Sequence, residues 1–395
     1  SRAAKSIPIS PEVQQMLGLL AEDNEIAPER VIRLLLRMNV DLLWNGGIGT
    51  YVKAKTETHF DAGDPSNDVL RINGEELHAR IIGEGGNLGF TQNGRIEYAL
   101  SGGRLNTDAI DNSGGVDMSD HEVNIKILLN PLVTSGELSL EDRNELLESM
   151  TEEVAQDVLH NNNVHGRQLS LDLVRSEQDP LSFSTAIQWV CNRSSATRAF
   201  LRLPSDEELI RRQGLGLGLT RPELAVLAAH VKMHIFKELL ASDSSLIADF
   251  NQRVIEYFPQ KIQEQYLDQI NSHMLYPSIG MTMLLNEIVG YAGATLFPSM
   301  SDITGAESCS IAKAWLTALD SIDAKELLRE MDGLDLATKY HAWTACTKPL
   351  QGLMTTWLYA DSYPDAAEQK MLRTILSRLP SLMSATHKER SNRSI

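Results

Sequence analysis

ARIIGEGGNLGFTQNGR, residues 79–95, runs a short apolar stretch straight into a cluster of glycines and an asparagine. VDLLWNGG, residues 40–47, has the same build upstream. An apolar run that ends on glycine reads as a strand leaving a parallel sheet, where helices cover both faces and polar alternation is lost. Working outward, Ser10-Pro11-Glu12 and Ala27-Pro28-Glu29 look like helix starts, with proline set for the first helical turn. The second of these helices carries Val31, Ile32, Leu34, Leu35 and Leu36. RLNTDAID at 104–111 reads as a third strand, and the polar, turn-rich KTETHFDAGDPSNDVLRINGEE between the first two reads as a surface excursion. Residues 1–125 are therefore expected to form an α/β unit.

Beyond about residue 125 the texture changes. EDRNELLESMTEEVAQDVL sets Leu146, Leu147, Met150, Val154 and Val158 at helical spacing, and TRPELAVLAAHVKMHIFKELL does the same with Leu224, Leu227, Val231, Ile235 and Leu239. Ser205 with Glu208, Thr220 with Glu223 and Thr304 with Glu307 have the spacing of capping boxes. Residues 126–395 are expected to be a helical domain, with a sub-boundary near 204–219, where GLGLGL reads as a connector. The apolar run Met281–Phe297 contains Asn286 and Glu287 and reads as a buried helix rather than a membrane span.

With 395 residues, the chain can hold two or three cores. A net charge of −17 opposes a nucleic-acid partner, since phosphates need neutralising cations. Three widely spaced cysteines suit a reducing cytoplasm and form neither a disulfide framework nor a metal pattern. The acids Asp108, Asp111, Asp117, Asp120 and Glu122 fit no calcium loop, and capping or exposure explains them better than a metal. His230 and His234 share a helix face without a third ligand, so no metal is expected. Trp44, at a strand end, is read either as core packing or as a cofactor contact.

Ligands of open parallel sheets bind beyond the carboxyl ends of the strands. Gly46 and Gly47 lie at one such end, Gly86 and Asn87 at the next; glycine admits close backbone approach, and asparagine offers both a donor and an acceptor. The combination Glu84-Gly85-Gly86-Asn87, Thr91, Asn112-Ser113-Gly114-Gly115-Val116, Ser119 and Glu122 resembles the end of the cofactor domain in glutamate dehydrogenases. AAKSIPISPEV, DLLWNGGIGTYVKA and the later LPSDEEL and GLTRPELAVL are similar to the large bacterial NAD-specific members.

The resemblance implies the second half of a Rossmann-like sheet followed by a large C-terminal helical domain. It implies NAD as cofactor, with Asn87 on the nicotinamide ribose, Asn112 by the carboxamide, and Gly46, Gly47 and Gly86 flanking that half of the dinucleotide. Ser119 would meet the side-chain carboxylate of glutamate, and L-glutamate and 2-oxoglutarate would be the reactants. Gly86 stands where the family usually has alanine, and Asp120-His121 where it has an aromatic pair. The family's catalytic lysine and aspartate and its phosphate-binding glycine turn match nothing in this chain, so no catalytic residue is assigned. The chain is expected to be a carboxyl-terminal piece of a cytoplasmic homo-oligomeric enzyme, inactive without the remainder of the polypeptide. A helical regulatory or assembly module is the alternative.

Overall fold

The computed structural model describes residues 4–242, 251–322 and 334–376. They divide into two compact units, one of residues up to 117 with 220–225, the other of 118–219 with 226 onward.

In the first unit, β1 (Ile7–Pro8) pairs antiparallel with β2 (Glu25–Ile26), and α1 (Pro11–Leu17) lies between them in sequence. The Ser10 hydroxyl accepts the Val13 N–H at 3.4 Å, so the predicted cap is in place. Helix α2 (Pro28–Leu36) leads into β3 (Leu42–Asn45), which is followed by β4 (Val52–Lys53), β5 (Ile72–Asn73) and β6 (Ile81–Glu84). The two glycine-ended runs are neighbours: β3 and β6 pair in parallel with Trp44 opposite Gly83 and Asn45 opposite Glu84. Strands β4 and β5 form a second parallel pair. Beneath them Val52, Ile72, Leu77, Ile82, Phe90 and Tyr98 make one apolar core, with Tyr98 contributed by α3 (Gln92–Leu100).

Two readings of this region are corrected. The stretch 55–76 is no mere surface excursion, because its second half turns inward and buries Leu70 and Ile72 completely. Arg71 makes this possible: its guanidinium, also buried, donates to the carbonyl oxygens of Thr50 (2.8 Å) and Asp64 (2.5 Å) and to Asp68 Oδ1 (2.6 Å). Buried polar groups are tolerated when bonded in this way. Nor is 104–111 a strand. Only Arg104 bridges to Ile81, and Asp108–Asp111 coils into the short helix α4.

Helix α5 (Ser113–Ser135) begins in the first unit and continues into the second, whose regular elements among the described residues are all helices. The sequence period across 141–159 covers two helices, α6 (Leu140–Glu148) and α7 (Thr151–Gln178), broken at Ser149. Met150, Val154 and Val158 nonetheless enter one core with Ile125, Leu128, Val254, Phe258 and Ile279. Helices α8 (Pro180–Arg193), α9 (Arg198–Leu201), α10 (Asp206–Gln213) and α11 (Arg221–Ala241) follow. Ser205 caps α10 through the Glu208 N–H, and Glu223 accepts both the N–H and the hydroxyl of Thr220 ahead of α11. Thr304, by contrast, ends the helix Leu296–Thr304 at a left-handed Gly305, and the next helix starts only at Ser308.

The Met281–Phe297 run is buried, as its composition requires, but Gly293 interrupts it at φ +83°. Asp172 explains the break: its Oδ2 accepts the Ala294 N–H at 3.0 Å, and a Cβ on residue 293 would lie 2.0 Å from Oδ1. In the GLGLGL connector, Leu219 donates its N–H to Ser176 Oγ at 3.0 Å and is buried. Among the described residues no helix is long and apolar enough to cross a membrane.

Candidate functional site

Because β3 and β6 run in parallel and in register, the loops that follow them leave the sheet side by side. The Gly86 N–H donates to the Asn45 carbonyl at 3.0 Å, tying the second loop to the end of the first strand. At Gly86 the two loops meet backbone to backbone: a Cβ there would stand 2.4 Å from the Gly47 carbonyl oxygen. Gly46 and Gly47 are less confined, the nearest atoms to a Cβ there being Trp44 Nε1 at 3.3 Å and Tyr51 Oη at 3.8 Å. The requirement for glycine is therefore strictest at residue 86.

Asn87 and Asn112 meet. The Asn112 side-chain N–H donates to Asn87 Oδ1 at 2.8 Å, although 25 residues separate the two in sequence. An amide can give two donors and take at least two hydrogen bonds. This bond leaves the NH2 of Asn87 and the Oδ1 of Asn112 for a ligand, at an exposed and a half-buried position respectively. Asn45 adds a third amide at the same strand ends, its Nδ2 buried without a hydrogen-bond partner. Ser119 is exposed on α5, seven residues beyond Asn112, in the stretch of that helix that belongs to the second unit.

Trp44 is not core. Its ring lies across Gly83 and Gly85, where a Cβ would approach to 2.5 and 2.4 Å, and 59% of the residue is exposed. The other four tryptophans are buried in the second unit.

Under the loops runs a polar network that the sequence did not announce. Arg95, on α3, grips Glu84 with Nε (2.6 Å to Oε1) and Nη2 (2.9 Å to Oε2). Its Nη2 also pairs with Asp108 Oδ1 at 3.1 Å. The Glu84 and Arg95 side chains are almost wholly buried. Burial pushes the Glu84 carboxyl above the usual carboxylate range, and the bidentate Arg95 opposes that shift. Asp108 Oδ2 accepts the Leu88 N–H at 2.7 Å. Asp111 accepts the Glu84 N–H at 2.9 Å and the Asn106 amide at 2.7 Å. These two acids, read from sequence as capping or surface groups, fasten the loop that carries Asn87. The one signal that could have found them was Glu84, a charge closing an otherwise apolar strand, with Arg95 of opposite charge eleven residues on.

Residues 1–172 match the family described as bacterial NAD-glutamate dehydrogenase, catalytic domain, and residues 216–391 match glutamate dehydrogenase, C-terminal. The chain is 43% identical over 326 residues to an NAD-specific glutamate dehydrogenase of Mycobacterium tuberculosis, a match covering 82% of this chain and 20% of that protein. Its counterparts in Halomonas elongata and Pseudomonas aeruginosa are each 42% identical, over 337 and 338 residues; 85% of this chain is covered in both, against 21% and 20% of those proteins. The chain thus spans about a fifth of the length of the curated relatives it matches. Both matched regions together with these identities place the chain in the bacterial NAD-glutamate dehydrogenase family.

Proposed function

We propose that the first unit supplies the nicotinamide end of the cofactor site in an NAD-dependent glutamate dehydrogenase, converting L-glutamate to 2-oxoglutarate and ammonia. The Asn87–Asn112 amide pair carries this reading. A nicotinamide carboxamide presents one carbonyl and one NH2, and ribose presents hydroxyls. The unspent NH2 of Asn87 and Oδ1 of Asn112 complement both. The parallel β3–β6 pair, with glycines after both carboxyl ends, supports a Rossmann-like second half for residues 1–125, and the helical remainder a C-terminal domain over 126–395.

In this reading Asn87 holds the nicotinamide ribose and Asn112 orients the carboxamide. The backbone at Gly46, Gly47 and Gly86 closes against the same half of the dinucleotide. Ser119 takes the side-chain carboxylate of glutamate. NAD, when bound, accepts the hydride from the substrate Cα. The chain's own residues bind and orient, and none is assigned a proton transfer. The remainder of the polypeptide, in a cytoplasmic homo-oligomer, completes the proposal.

The test is NADH affinity of the full-length enzyme, measured by fluorescence titration. Asn87→Ala and Asn112→Ala each remove a hydrogen bond to the ligand and are expected to weaken binding roughly three- to tenfold, with unchanged melting. Wild-type affinity in both variants would overturn the reading.

A further inference from the structure

The bond between Asn87 and Asn112 depends on a backbone conformation that does not come free. Leu88, directly after Asn87, sits at φ +58°, in the left-handed region that a leucine adopts only when it is held there. Its side chain is 66% exposed, so packing does not hold it. Two hydrogen bonds do. The Leu88 N–H donates to Asp108 Oδ2 at 2.7 Å, and the Thr50 hydroxyl donates to the Leu88 carbonyl at 2.8 Å. Strain of this kind persists where surrounding structure over-determines it, and such positions cluster at functional sites.

Asp108 is well placed to impose the strain. It opens the helical turn α4, and Asn112 follows directly after that turn. The same turn is fixed twice from beneath, by Arg95 on Asp108 and by Asp111 on the Glu84 N–H. One short turn therefore fastens the residue after Asn87 at its start and delivers Asn112 at its end.

We propose that Asp108 is a positioning residue: by holding Leu88 in the left-handed conformation it sets Asn87 against Asn112 and so presets the amide pair for the cofactor. The proposal rests on the nicotinamide-site reading above. Without the Asp108 carboxylate, Leu88 relaxes to an ordinary conformation, the peptide between residues 87 and 88 rotates, and the Asn87 side chain leaves its partner.

The full-length enzyme tests this with four variants titrated with NADH: Asp108→Ala, Asp108→Asn, Asp108→Ala with Leu88→Asn, and Asn112→Ala as the control for the site. Asp108→Ala is expected to weaken NADH binding about tenfold while leaving KM for glutamate at saturating NAD within about twofold. Asp108→Asn keeps an accepting oxygen for the Leu88 N–H and should retain most of the affinity. Asparagine tolerates the left-handed region, so Leu88→Asn should return part of the affinity lost in Asp108→Ala; a merely structural role for Asp108 gives no such rescue. If Asn112→Ala weakens binding and Asp108→Ala does not, or if Leu88→Asn restores nothing, the role of Asp108 is overturned while the site stands. If Asn112→Ala itself leaves binding unchanged, the site reading fails first. Should Asp108→Ala not fold, Asp108→Asn still decides: a loss there as large as that of Asn112→Ala contradicts the proposal.

Discussion

Arg95→Ala is expected to cost the first unit about 3–5 kcal/mol, the usual penalty for leaving a buried charge without its partner. Glu84 has no exposed side-chain surface, and among the described residues its bidentate bond to Arg95 is its only side-chain ion pair. Removal of the guanidinium strands that carboxylate and leaves Asp108 with the Leu88 N–H and its own helical turn. Replacing both members, as in Arg95→Met with Glu84→Leu, should recover a large part of the loss, because an apolar pair of similar volume carries no desolvation penalty. The measurement is a urea titration of the 395-residue chain read by pulse proteolysis within residues 4–117. A loss below about 1 kcal/mol, the range of exposed ion pairs, would mean that solvent reaches the pair and that it does not brace the loops.

Gly86→Ala is expected to weaken NADH binding by the full-length enzyme about tenfold, at the cost of roughly 1–3 kcal/mol typical of a forced backbone shift. The added methyl would meet the Gly47 carbonyl at 2.4 Å, and backbone cannot swing aside as a side chain can. Either the Gly46–Gly47 loop or the Asn87 peptide must move. Gly85→Ala makes the informative contrast. Its methyl would stand just as close to the Trp44 ring, yet that ring is exposed on its outer side and free to lift, so the effect should be several-fold smaller. Fluorescence titration with NADH checks both. Alanine is the usual residue at this position in the wider family the sequence resembles, so wild-type affinity in Gly86→Ala would show that the close approach of the two loops has no bearing on binding.

What could be read from the sequence followed the strength of the local physics. Helix starts with two cooperating signals, such as Ser205 with Glu208 and Thr220 with Glu223, stand where the spacing puts them. Thr304 with Glu307 has the same spacing but fails, because Gly305 between them takes a left-handed conformation and closes the preceding helix first. The strands β3 and β6 were legible because apolar runs ending on glycine have few other readings; their register was not, since it depends on contacts between distant segments. Leu70 and Ile72 were hidden inside a polar stretch, and only the three-way bonding of Arg71 explains how that stretch goes inward.

The site divides in the same way. Asn87, Asn112, Ser119 and the glycines came from motif resemblance, which carries residue types and order but no supporting partners. The bracing by Glu84, Arg95, Asp108 and Asp111 was invisible because each bond joins side chains or backbone far apart in sequence, and acids in a glycine-rich stretch look like ordinary surface groups. Trp44 was left open between two roles, and its place across Gly83 and Gly85 with most of its surface exposed removes the core reading.

Hydrogen–deuterium exchange of the full-length enzyme with and without NADH tests the central claim most directly. If the paired strand ends hold the nicotinamide half, NADH slows exchange at the amides of residues 46–48, 85–88 and 112–115 together. Protection elsewhere, with those three segments exchanging as fast as in the free enzyme, would contradict it.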